Sequence, residues 1–155
     1  MSLNQLTNPK LDINCKSIKV NNNDISGGLQ FKEFVGSIAD TAKTYLSSGN
    51  DVSYTGGNIR TDPSLPYYVP YDNFVIKGFS CEKANIISET TFEIWELSKD
   101  LVQETLKHTI VVGANFFNNK NMDLNISISK DSVIMISTTS VNSPQLSRAT
   151  IYFSI

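Results

Sequence analysis

The chain has 155 residues, only 18% of them charged, and a formal net charge of −2. That length holds one hydrophobic core, or one core with an N-terminal appendage. Near-balanced charge without a basic patch argues against binding nucleic acid through phosphate neutralisation, and no apolar run approaches the roughly 20 residues of a membrane span, so no membrane insertion is expected.

The start, Met1-Ser-Leu-Asn-Gln-Leu-Thr-Asn8, has neither the charged nor the apolar region of a signal peptide. Leu11-Asp-Ile-Asn-Cys15 alternates apolar and polar residues and reads as a strand, and Ser17-Ile-Lys-Val20 continues it with the register shifted. Asn21-Asn-Asn-Asp24 is a turn cluster, and Ile25-Ser-Gly-Gly28 a short strand followed by a break. Residues 1–28 therefore form an N-terminal arm, either an edge of the main fold or a segment that docks on a neighbour. Leu11, Ile13, Ile18 and Val20 are its candidate assembly contacts.

The two cysteines, Cys15 and Cys81, lie far apart with no ligand-spaced partner. Both read as small buried hydrophobes on strands rather than as a disulfide or a metal site, which suits a reducing compartment.

Residues 29–46 are open to two readings. Phe31, Phe34, Val35, Ile38, Ala42, Tyr45 and Leu46 fall roughly on one helical stripe, but Gly36 and the threonines weaken a helix. The alternative is a pair of strands, residues 30–35 and 41–46, with a loop at Gly36-Ser37. Residues 47–72 read as a long surface loop containing a short strand at residues 52–54. Pro63, Pro66 and Pro70 remove ladder donors there. Tyr67, Tyr68 and Tyr71 on this loop either contact a sugar or protein or pin the loop to the core.

From Phe74 onward the strand pattern is regular. Phe74, Ile76 and Gly78 alternate with Val75, Lys77 and Phe79, and Glu82-Lys-Ala-Asn85 turns. In residues 90–97, Phe92 and Ile94 face one side, Trp95 and Leu97 the other. Large residues on both faces mark a central strand or an interface, and Trp95 is a candidate interface residue. Ser98-Lys-Asp100 is a hairpin turn leading to one β segment at residues 101–106 and another at 109–113. Residues 115–121 are a polar loop carrying Phe116 and Phe117, two candidate contact aromatics. Three strands end the chain. In residues 123–129, Leu124, Ile126 and Ile128 share a face. Residues 133–139 follow a Ser129-Lys-Asp-Ser132 turn, and residues 149–155 are last. These three are expected to pair as one antiparallel unit. Seven or eight strands in all predict an all-β fold, an antiparallel sandwich of jelly-roll type over residues 29–155.

This order resembles the β-sandwich heads of virion fibres and spikes. The resemblance rests on Lys77-Gly-Phe79, on residues 91–97 with the Ser98-Lys-Asp100 turn, on Asn125-Ile-Ser-Ile-Ser-Lys-Asp-Ser132 and on the terminal strand. Residues 11–27 look like the short β segments that precede such heads. The resemblance implies a structural or host-attaching virion protein that is a homo-oligomer, with a trimer favoured. Its partners would be other virion proteins and a host receptor or glycan. A carbohydrate-binding sandwich is the alternative.

Catalysis is not expected, since it needs a base or nucleophile held by a second group. His108 stands beside Lys107 between two β segments, without a patterned Ser or Cys. Glu89, Glu93, Glu96 and Asp100 are candidates by type only. Glu93 is read as solvated and on a different strand face from Trp95. No glycine pair is followed by Gly-Lys-Ser/Thr, and no metal or cofactor is implied. Asn125-Ile-Ser127 is a glycosylation sequon, unused without a signal peptide.

Overall fold

The computed structural model describes residues 19–20, 23–24, 29–38, 43–48, 53–55, 68, 70, 72–100, 103–140 and 145–154. Twelve strands run through them: β1 (Lys19–Val20), β2 (Asn23–Asp24), β3 (Gln30–Ile38), β4 (Thr44–Leu46), β5 (Ser53–Thr55), β6 (Phe74–Lys83), β7 (Thr90–Leu97), β8 (Glu104–Val112), β9 (Asn118–Asn121), β10 (Ile126–Ile128), β11 (Val133–Ser140) and β12 (Gln145–Ser154). β1 and β2 pair with each other. The rest form two antiparallel sheets. One has the order β10-β6-β12-β3, with β9 also on β6, and the other is β5-β4-β11-β7-β8.

The sheets pack face to face over one core. Phe34, Ile76, Phe79, Ile128, Ala149, Ile151 and Phe153 come from the first sheet. Leu46, Phe92, Ile94, Ile110, Val112, Ile134 and Ile136 come from the second. Most of these residues alternate with polar ones, as a two-sheet sandwich requires. Backbone bonds join the sheets along one side, where Val35 of β3 exchanges two bonds of 2.9 Å with Ser47. The described architecture is a β-sandwich.

Several expectations change. Residues 29–46 are not helical. β3 runs straight through Gly36 and Ser37, where a loop was the alternative, and pairs with β12 along its length. The helical stripe had no room to act, because Phe34 is needed opposite Ala149 in the sheet. The two segments at 101–106 and 109–113 give one strand, β8, with a bulge. Ile94 pairs with His108 and Trp95 with Leu106, so Lys107 is the extra residue. Part of the polar loop at 115–121 is the strand β9. The strand expected over 123–129 shrinks to β10, although Leu124, Ile126 and Ile128 do all pack on the core. The last three strands do not form one unit. β10 and β12 flank β6 in the first sheet, while β11 crosses to the second.

β6 also departs from simple alternation. Tyr152 pairs with Gly78 and Phe153 with Ile76, leaving Lys77 as a bulge. Phe74 and Ile76 then share the inner face with Phe79 and Cys81, instead of lying opposite Phe79. The freed Lys77 carbonyl accepts the Leu124 amide at 3.1 Å. The space left by Gly78 is taken by the end of the Met122 side chain, 2.7 Å from where a Cβ would stand.

Candidate functional site

β6 ends on the inner face with Lys83, which is 3% exposed. The alternation Phe79, Cys81, Lys83 places a charge between the sheets, where sequence reading put a turn. Its ammonium donates to the Ser88 carbonyl and, at 3.0 Å, to the Gly113 carbonyl. Burial pushes its pKa down, partly opposed by Glu89. Hydroxyls surround this end: Ser88 and Ser140 lie 3.4 Å apart, Thr90 bonds Ser140 at 3.5 Å, and Thr138 and Ser147 are buried. The core is therefore oily along most of its length and polar at this end.

Two loops and the start of β12 meet above that polar base. The Lys83 amide donates to Phe117 at 2.8 Å, the Ala84 amide to Leu146 at 3.0 Å and the Asn115 amide to Ile86 at 2.7 Å. Asn115 makes its turn at φ 70°, a conformation asparagine tolerates. Together these bonds bring Ile86, Ile87, Phe116, Phe117 and Leu146 to one end of the sandwich, all exposed, Ile87 at 76% and Phe116 at 65%. Scattered apolar residues are ordinary on a surface, but five carried by linked segments are a candidate contact surface. The sequence pointed to Phe116 and Phe117. It missed Ile86, Ile87, Leu146 and Lys83, although adjacent isoleucines between Asn85 and Ser88 were a usable signal.

The other expected site residues are placed elsewhere. Leu11, Ile13, Cys15, Ile18, Tyr67 and Tyr71 lie outside the described residues, and Val20 ends β1. Tyr68 exchanges two backbone bonds of 2.8 Å with Ile134 and packs on the core. Cys81 is a free thiol, 1% exposed, whose pKa burial pushes up. Trp95 lies on the outer face of a central strand, beside Tyr45, Leu97, Val133 and Met135. Glu93 shares that face, contrary to the sequence reading, because residues two apart in a strand point the same way. Its Oε2 accepts the Trp95 indole at 3.1 Å and the Ser137 hydroxyl at 2.9 Å, and Lys43 pairs with it at 3.2 Å. Lys43 also stands 3.8 Å from the Trp95 ring centre. Glu93 is thus a bonded hub rather than a solvated carboxylate.

His108 sits within β8, not between segments, its ring edge-on to Phe79 at 6.3 Å. Burial lowers its pKa. Glu96 pairs with Lys107 at 2.6 Å, Asp100 accepts the Ser98 hydroxyl at 2.5 Å and Glu89 is exposed. Among the described residues no group of His, Cys, Asp and Glu gathers where it could hold a metal ion, and no helix is long and apolar enough to cross a membrane. A groove at the far end of β6, between Asn73, Val75, Ser127, Ser129 and Ser154, has no titratable side chain in its lining.

Comparisons with protein-family models, curated proteins and solved structures find no match.

Proposed function

We propose that this protein is a non-enzymatic structural component of a virion, a fibre or spike head or a minor capsid subunit of jelly-roll type, that works by presenting surfaces to neighbours. The apolar end carries this reading. A phenylalanine taken fully out of water contributes about 1.5–3 kcal/mol. Phe116 and Phe117, with Ile86, Ile87 and Leu146 at the same end, would form the apolar centre of a contact between subunits. The strand order and the Ser-, Thr- and Asn-rich exterior support a place in a particle, and the favoured assembly is a homotrimer.

Light scattering across micromolar concentrations tests it. A mass three times that of the chain is expected, reduced by the double substitution Phe116→Ser, Phe117→Ser. A monomer throughout that range, unchanged by the substitutions, would overturn the proposal.

A further inference from the structure

The outer face of the β3-β12-β6 sheet carries an ordered set of rows. In one, Phe31 pairs with Tyr152 and Tyr152 with Gly78. Phe31 is 69% exposed. At Gly78 the missing side chain leaves room for Met122, 41% exposed, whose sulfur and methyl group lie 2.7 Å from where a Cβ would stand. The row Phe31, Tyr152, Met122 is thus an apolar strip across four strand positions. Strand spacing makes it roughly 14 Å long. On one side runs the row Glu33, Thr150, Ser80, Lys120, followed by Val35, Arg148, Glu82, Asn118. On the other side lie Ser154, Val75 and Ser127.

We infer that this face binds a neutral oligosaccharide. Aromatic rings offer negative faces to the slightly positive C–H faces of sugar rings. The hydroxyl, amide and charged groups in the adjoining rows match the outward-pointing sugar hydroxyls. Charge decides between occupants. Glu33 and Glu82 are held by Arg148 at 3.2 and 3.8 Å, and Lys77 reaches Asn125 at 2.8 Å. The face has donors and acceptors of both signs and lacks the one-signed field that a nucleic acid or an anionic membrane needs. The strip's length suits a short sugar chain rather than a single ring. The inference goes beyond the virion proposal and uses a different surface from the apolar end.

The test is a panel of immobilised neutral oligosaccharides (gluco-, manno-, xylo- and chito-oligomers), with sialylated glycans alongside, followed by titration calorimetry on the best binder. The wild type is expected to bind at least one neutral chain, and Phe31→Ala and Tyr152→Ala each to weaken it tenfold or more. Phe116→Ser with Phe117→Ser should leave this binding intact, which separates the site from the assembly surface. Phe31 is exposed enough that its substitution leaves folding intact, so the test survives if Tyr152→Ala misfolds. A blank panel, binding only to sialylated glycans, or binding unchanged in Phe31→Ala would overturn the inference. So would self-association of the wild type that Phe31→Ala abolishes, because the face would then be a protein interface.

Discussion

Burial pushes the pKa of both Lys83 and His108 down. The Lys83 ammonium joins Ser88 to Gly113 and so couples the two loops that carry Ile86, Ile87, Phe116 and Phe117. Lys83→Met keeps the stem and removes the donors, leaving the buried Ser88 carbonyl without its ammonium partner, which costs about 1–3 kcal/mol. A lower urea midpoint and faster exchange of the Asn115 amide are expected. An unchanged midpoint and unchanged exchange would show that the loops hold themselves. His108 has its pKa lowered in the fold by desolvation. The unfolded chain therefore binds a proton first as pH falls below the ordinary histidine value of 6.5. Stability present above that value is lost as pH drops through the window down to the folded pKa. Urea unfolding of the wild type at successive pH values should show this loss, and His108→Gln should remove the part of the slope that lies just below that value.

At the level of single strands, the bulges do what alternation alone does not. Lys77 is one residue too many for its ladder, and that surplus lets Phe74 and Ile76 share a face with Phe79 and Cys81. Deleting Lys77 restores strict alternation and forces one pair of these out of the core. Two large apolar side chains at about 1.5–3 kcal/mol each are a sizeable part of a domain's total stability of about 5–15 kcal/mol. The deletion is expected to unfold or nearly unfold the chain in a thermal melt followed by circular dichroism. A melt within a few degrees of the wild type would mean that β6 re-registers freely. β3 shows the opposite case. Its Phe34 pairs opposite Ala149 with no irregularity, and nine consecutive partners along β12 override a helix-like spacing.

Among the described strands, chain order and sheet order part company towards the C-terminus. β10, β11 and β12 follow one another in sequence but alternate between sheets. The core is assembled by crossing, which puts Ile128, Ile136 and Ile151 in one interior from three strands that do not pair with one another. Crossing also gathers the apolar end, whose parts come from the β6–β7 loop, the β8–β9 loop and the start of β12. No local stretch contains it. The strip of Phe31, Tyr152 and Met122 is likewise drawn from three distant segments.

Period-two patterns in residues 90–97 and 149–153, with the β-branched run at 133–139, were enough, read alone, to indicate strands and an all-β class. Side-chain direction in a strand is a local property, and Phe92, Ile94, Ile151 and Phe153 all point as that pattern demands. The sequence also exposed Phe116 and Phe117 as aromatics without a pattern to bury them. Which strands pair, where Lys77 and Lys107 slip the register, and that Glu93 bonds Trp95 were decided only in three dimensions. Pairing joins residues far apart in the chain, and its selection depends on how well two faces fill a common interior. One residue's difference in register moves every side chain beyond it to the other face.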